Sequence, residues 1–500
     1  MTHTSDPIIY DGARAAGVLL HPTSLPGSYG IGDLGDELTA FLDWAATAGM
    51  RIWQTLPLNP PGYGNSPYTC LSSFAGNPLL ISPQRLLQES LLPPHAVEHV
   101  PPFADDHVEF DRVAEYKRGL LQLAWESLQD RSALDAFIDA EEQHAWLDDF
   151  ALFMALKERA GGAPWWTWDR RLAHRDEHAL SRARHELAEE IDFHRFVQWV
   201  FFRQWAAVRA AAAVRGIRVL GDVPIYVAHD SADVWARREL FQLDVRGMPT
   251  VVAGVPPDYF SATGQRWGNP LYRWEEMRGD NYAWWVSRIR ANLRLADFVR
   301  LDHFRGFADY WEIPASEQTA IHGRWLPGPR RELFDAIRDA LGDLPVVAED
   351  LGFITAEVHK LRQEIGVAGM KILQFGFEQI DSPHLPHRYE PKMVVYTGTH
   401  DNHTARGWFD AATDDGRRAA ESYLGATEET FAAAMVRAAY TSVAQMAIVP
   451  MQDVLGLGDE ARMNRPGDVE HNWAWRLRAA ALTREDAARL HRLAEISGRL

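Results

Sequence analysis

The sequence predicts an α/β fold: a (β/α)8 TIM barrel with a large helical insertion after strand two and a lid-forming insertion after strand three. Three observations lead there. Short apolar runs alternate with helical patterns eight times, the order a closed parallel sheet requires. Several runs end in charged residues beside Gly or Pro, as barrel strands do where they deliver side chains to the carboxyl-end face. Two stretches break the alternation, because residues 84–215 carry helical periods alone and residues 254–272 are crowded with Gly, Pro and aromatics. The expected organisation is a barrel from residues 1–83 and 216–500, including the 254–272 lid, with 84–215 as a mainly helical insertion subdomain. A chain of 500 residues suits one barrel with long insertions.

The first strand is expected over 16–21 and a loop over 22–29. Gly30-Ile31-Gly32-Asp33-Leu34-Gly35 matches G-x-G-x-x-G and opens a helix reaching Met50. A dinucleotide fingerprint should follow its strand directly, with an acid ending the next strand. Here a loop intervenes and the second strand, 52–56, runs into Pro57 without an acid, so that reading is set aside. The loop over 59–78 holds Tyr63, Ser66, Tyr68 and Phe74 among turn-forming residues, a setting that can present rings and hydroxyls to a ligand. Helices are expected over 106–129, 132–160 and 192–215. In the last, Val197, Phe201 and Trp205 recur at i, i+4 spacing as a core-facing stripe. Pro164-Trp165-Trp166-Thr167-Trp168 reads as a hydrophobic plug between helices, with an outer binding surface as the alternative.

Gly216 ends the long helix, and the third strand, 217–220, leads into Asp222 and Tyr226. Residues 254–272 show neither helical nor strand period. A long, aromatic-rich loop of this kind is ordered and functional, and a lid over a cleft is the natural assignment. A helix over 285–295 returns the chain to a fourth strand beginning at Phe298. Strand side chains alternate, so Phe298, Arg300 and Asp302 share one face while Val299 and Leu301 take the other. The fifth strand, 344–348, ends in Glu349-Asp350. The sixth, 370–377, carries Gln374 and Phe375. The seventh, 393–397, ends in Gly398-Thr399-His400-Asp401-Asn402-His403, and the eighth, 445–450, precedes Gln452 and Asp453.

With 51 Lys and Arg against 69 Asp and Glu, the formal charge of −18 opposes nucleic acid or an anionic membrane as partner. The single cysteine, Cys70, excludes an internal disulfide framework and points to a reducing compartment. No export signal and no apolar run of membrane-spanning length is read, so a cytoplasmic protein is expected. The 19 Trp and 14 Tyr, where they gather in loops, suit flat faces for stacking on sugar rings.

Asp302, Glu349 and Asp401 finish strands four, five and seven, positions that converge on one open face of a barrel. A metal is one explanation, with His400, Asp401, His403 and Glu349 as ligands. The chain has no His-Glu-x-x-His or comparable ligand spacing, so neither metal nor cofactor is expected. The other is glycosidic bond cleavage, which needs one carboxylate to attack or to activate water and one carboxylic acid to protonate the leaving oxygen. Arg300 beside Asp302 favours the ionised state that a nucleophile needs. Glu349, after the apolar run Val346-Val347-Ala348, can be kept protonated by desolvation as a general acid. Asp401 beside His400 would stabilise positive charge in the transition state or hold sugar hydroxyls. Transfer and hydrolysis are not separable on these grounds.

The segments RLDHFRGF, VVAEDLG, TGTHDNHT, GYGNSPY, SFAGNP, GDVPIYVAHDS and GVPPDYFSATGQRWGNPLYRW resemble those of the 4-alpha-glucanotransferases, the amylomaltase or disproportionating-enzyme family (glycoside hydrolase family 77). The resemblance runs over residues 17–475. It implies a retaining transferase that moves alpha-1,4-glucan segments from a donor to the 4-OH of glucose or a maltooligosaccharide. It also implies Asp302 as nucleophile, Glu349 as acid/base and Asp401 as transition-state stabiliser. Arg300 and His400 would be partners at the cleavage subsite, and Asp222, Tyr68 and Ser66 substrate contacts in the pocket. Asp258, Gln265 and Trp267 match the lid, and Phe375 a subsite wall. The alternatives are an alpha-amylase-like hydrolase and a barrel that binds glucan without turning it over.

Overall fold

The computed structural model describes residues 13–257, 261–379, 381–468 and 471–500. Its strands are β1 (Ala15–Leu19), β2 (Ile52–Gln54), β3 (Arg218–Pro224), β4 (Val251–Val255), β5 (Gln265–Pro270), β6 (Phe298–Asp302), β7 (Asp309–Pro314), β8 (Arg324–Pro327), β9 (Val346–Ala348), β10 (Gly369–Ile372), β11 (Met393–Tyr396) and β12 (Met446–Pro450). Eight of them form one parallel sheet in the order β10-β11-β12-β1-β2-β3-β6-β9. The two ends of that order meet, because Val347 bridges to Ala368 in parallel sense and the Ala348 N–H donates to the Ala368 carbonyl at 2.8 Å. The sheet is therefore a closed barrel, which leaves none of its strands as an open edge.

Alternation along each strand sorts its side chains. Leu19, Ile52, Leu220, Phe298, Val347, Met370, Val394 and Ile448 point inward and fill the barrel as one apolar cluster. Val219, Val299, Leu301, Val346 and Val395 point outward into the larger cluster shared with the surrounding helices. Apolar residues on both faces explain why these strands read as continuous hydrophobic runs. Each such side chain, once buried, contributes about 1.5–3 kcal/mol.

Between β2 and β3 lie the helices Phe110–Glu126, Ser132–Ile138, Leu147–Arg159, Glu177–Glu186 and Ala188–Val214. The single helix expected over 132–160 is two, separated by a short 3-10 turn at Glu141–Gln143. The last helix starts at Ala188 rather than 192, its first turn carrying Glu189 and Glu190 where the helix dipole favours anions. The Trp165 indole is fully buried and donates to the His229 carbonyl at 2.7 Å, Trp166 stacks on the His229 ring at 4.0 Å, and Trp168 packs on Phe153 and Trp235. The tryptophan cluster thus plugs the helical segment onto the chain that follows β3.

The Gly30–Gly35 motif is also packing. A Cβ on Gly32 would lie 2.0 Å from the Pro22 carbonyl oxygen, and Asp33 pairs with the buried Lys117, which also donates to the Leu79 and Ile81 carbonyls. No helix among the described residues is long and apolar enough to cross a membrane.

The expected strand pattern needs correction in three places. Residues 254–272 are not strandless, since β4 and β5 pair antiparallel there and continue through β7 and β8 as a second sheet, in the order β5-β4-β7-β8. β5 is an edge strand whose first three residues are exposed, and a Cβ on Gly254 would meet the Gln265 carbonyl oxygen at 2.2 Å. A half-solvated edge and a glycine-dependent close approach leave no period-2 hydrophobic signal. β7 and β8 are inserted after the fourth barrel strand; β7 pairs with β4 and β8 on its two sides, and β8 is the partly exposed outer edge. The sixth barrel strand ends at Ile372, not 377, because the chain turns through a 3-10 segment at Leu373–Gly376, where the Gln374 side chain donates to the His403 carbonyl at 2.8 Å.

Candidate active site

The parallel register of β3 and β6 sets Asp222 beside Arg300 and Pro224 beside Asp302. Arg300 and Asp302 share the inward face of β6, and Asp222 follows the inward-facing Leu220 on β3 by two residues. The result is a chain of charges at the carboxyl end of the barrel. Arg300 Nη1 donates to both Asp222 oxygens at 2.8 and 2.7 Å, and Arg300 Nη2 pairs with Asp302 Oδ1 at 2.8 Å. The Asp222 side chain is wholly buried and that of Arg300 nearly so, whereas Asp302 keeps 29 % of its side-chain surface open. Burial works against the Arg300 charge, but Asp222 and Asp302 outweigh it and hold the guanidinium protonated. Burial pushes the Asp222 carboxyl upward and Arg300 pulls it back.

Glu349 follows β9 directly. Its Oε2 accepts from the His303 N–H at 2.7 Å and its Oε1 from the Leu351 N–H at 2.9 Å. Desolvation nevertheless pushes its carboxyl well above the usual carboxylate range, against the pull of Arg300 and of the two N–H donors. His303 takes a left-handed backbone (φ 51), and burial lowers its imidazole to about 4, so it is neutral at pH 7. The Trp267 ring meets that of His303 edge-on at 4.8 Å. Trp267 is 38 % exposed and its indole N–H donates to Gln265 Oε1 at 3.1 Å. β5 thus lays an aromatic face over the end of β6.

Asp401 follows β11, which only β10 separates from β9 in the closed sheet. Its Oδ1 accepts from Asn464 Nδ2 at 2.6 Å and lies 3.3 Å from His400 Nε2. Arg462 Nη2 donates to the Asp401 carbonyl at 2.6 Å. His400 is buried and held neutral mainly by desolvation. Its ring stacks on Tyr68 at 5.0 Å, and Tyr68 Oη donates to Asp222 Oδ2 at 2.9 Å. Trp473 packs against both rings. Ser66 Oγ accepts from the Tyr68 N–H at 3.2 Å and so shapes the turn carrying that ring. Phe375 packs on the apolar cluster inside the barrel and meets His384 edge-on. Asp258 lies outside the described residues.

Asp302, Glu349, Asp401, Arg300, His400, Asp222 and Tyr68 are joined through these bonds, shared neighbours and register. Ser66, Gln265 and Trp267 touch the assembly through one neighbour each. His303, Asn464, Arg462 and Trp473 escape sequence reasoning, although the left-handed turn at His303 leaves a trace in the Gly306 that closes it. Among the described residues no group of three or more His, Cys, Asp or Glu side chains is disposed to hold a metal ion. Chemically, the face offers a partly open carboxylate, Asp302, tied to a buried guanidinium that it shares with the enclosed Asp222, and in Glu349 a carboxyl with raised proton affinity.

A family model described as 4-alpha-glucanotransferase matches residues 20–483. The 4-alpha-glucanotransferase of Thermus thermophilus is 49 % identical, with 97 % of this chain and 99 % of that protein covered. The Synechocystis enzyme of the same name is 48 % identical over 97 % and 98 % of the two chains. Among solved structures, an amylomaltase from Streptococcus agalactiae in complex with acarbose superposes with a TM-score of 0.94 at 39 % identity, covering 97 % of this chain and 99 % of that one. The full-length match in sequence and fold leaves one conclusion: this chain belongs to the 4-alpha-glucanotransferase family.

Proposed function

We propose that the protein transfers an alpha-1,4-glucan segment from a donor to the 4-OH of glucose or a maltooligosaccharide, by a retaining mechanism with Asp302 as nucleophile. The observation that carries this reading is the contrast between two carboxyls at one barrel end. Asp302 is ion-paired to Arg300, while Glu349 holds its proton against solvent because it is desolvated. Glu349 gives its proton to the glycosidic oxygen as Asp302 attacks the anomeric carbon, and the reducing-end fragment leaves with that proton. The 4-OH of an acceptor then loses its proton to the Glu349 carboxylate and attacks the same carbon, releasing Asp302. Asp401, held by Asn464 and beside His400, faces the charge that builds on the sugar ring. Atoms and protons balance without a metal or cofactor.

Transfer demands that water be excluded and a sugar hydroxyl be held in attacking geometry. The lid, with Gln265 and Trp267 on β5 and Asp258 beside it in sequence, supplies the cover, and Phe375 and Tyr68 the walls. Residues 1–83 and 216–500 serve as the catalytic barrel and 84–215 as the helical subdomain plugged to it by Trp165. The buried, unpaired Cys70 fits a cytoplasmic setting, and the charge of −18 leaves neutral glucan as the natural partner. The test is maltotriose as sole substrate, read by chromatography. Glucose plus oligosaccharides longer than maltotriose are expected, whereas products no longer than the substrate would make it a hydrolase.

A further inference from the structure

Arg305 stands outside the reaction just described, yet it is only 6 % exposed and its guanidinium joins three segments. Nε donates to Asp309 Oδ1 on β7 at 2.8 Å, the plane lies over the Trp325 ring of β8 at 3.7 Å, and Nη1 donates to the Phe353 carbonyl. Phe353 sits four residues past Glu349, and its ring, 77 % exposed, meets the same guanidinium at 5.5 Å. Between them Gly352 takes a left-handed backbone (φ 80), a joint that does not fix the segment by itself. The Leu351 N–H that holds Glu349 Oε1 lies inside this same segment. The second donor, the His303 N–H on Oε2, belongs to the turn leading into Arg305, closed by the Gly306 N–H on the His303 carbonyl at 2.9 Å. Both N–H groups that aim the Glu349 carboxyl are therefore two residues from a point Arg305 controls.

We propose that Arg305 is a positioning residue for Glu349, clamping the segment after the acid to the second sheet so that the carboxyl stays aimed at the glycosidic oxygen. This rests on the acid/base role assigned to Glu349 above. The guanidinium suits the task because its planar fork bonds in two directions while its face stacks on an indole, which an ammonium cannot reproduce. Through Asp309 and Trp325 the clamp also ties the acid to the sheet that carries Gln265 and Trp267.

The test compares R305M, R305K and E349Q on maltotriose and on alpha-maltotriosyl fluoride, whose leaving group needs no acid. R305M should lose about 10- to 100-fold in kcat on maltotriose, while its burst of fluoride release stays within about threefold of wild type. R305K should recover part of the loss. The basic limb of the R305M pH profile should move upward, because loosening the Leu351 donor removes support for the charged carboxylate. Equal loss on both donors, or no loss on maltotriose, would overturn the clamp. If R305M does not fold, the same comparison on R305K decides. If E349Q itself fails to separate the two donors, the acid assignment falls, and that result is distinct from a failure of Arg305 alone.

Discussion

Replacing Arg300 with Met tests the ion chain at the centre of the site. In the native protein the Asp222 carboxylate has no exposed surface and receives two bonds from Arg300 and one from Tyr68 Oη. R300M removes the cation and leaves the tyrosine hydroxyl as donor. Stranding a buried charge in this way costs about 3–5 kcal/mol, which at about 1 °C per kcal/mol for a chain of 500 residues lowers the unfolding midpoint by roughly 3–5 °C. The cost depends on pH in a definite direction. Burial raises the folded-state affinity of Asp222 for a proton, so the variant can relieve the stranded charge by taking one up at low pH. Its stability relative to wild type should therefore fall as pH rises from 5 to 8. The double variant D222N/R300M has no charge to strand and should regain more than half of the loss at pH 8. Differential scanning calorimetry of the three proteins at pH 5 and 8 provides the measurement. If R300M melts within about 1 °C of wild type at pH 8, or if D222N/R300M is no more stable than R300M, the buried pair does not carry the load assigned to it.

Two further outcomes concern the acid and the lid. Because Glu349 binds its proton well above the usual carboxylate range, kcat/KM should fall on the basic side as that proton is lost. The same shift makes the ionised carboxyl a liability to the fold, so the gain in thermal stability of E349Q over wild type should grow from pH 5 to pH 8, and a gain that shrinks would reverse the sign of the argument. W267A removes the ring that covers His303 at the end of β6. Its ratio of transfer to hydrolysis on maltotriose should drop severalfold with the first-step rate nearly kept, and an unchanged ratio would show that the lid does not exclude water.

What can be read in advance follows the range of the physical signal. Alternation is local, so Arg300 and Asp302 on one face of β6 are legible from five residues. The pairing of Asp222 with Arg300 depends on the register between β3 and β6, across 78 positions, and no periodicity encodes it. Asn464 reaches Asp401 across 63 positions, and Trp473 reaches His400 from the same stretch, which has neither helical nor strand period. The second sheet is hidden because β5 and β8 are its two exposed edges, with no continuous buried face to give a period-2 pattern. The family resemblance supplies roles for Asp302, Glu349 and Asp401 but no distances. The raised affinity of Glu349 is foreseeable from Val346-Val347-Ala348, while the two N–H groups that oppose it come from turns at His303 and Leu351 that sequence pattern does not disclose.

The central claim is that Asp302 carries the sugar. E349Q incubated with alpha-maltotriosyl fluoride should load rapidly and discharge slowly, since the first step bypasses the acid and the second still needs the base. Intact-mass spectrometry of the quenched protein should show one added maltotriosyl group, and peptide mapping should place it on Asp302. Label on Asp401, or release of fluoride with no adduct on the protein at any time, would contradict the account.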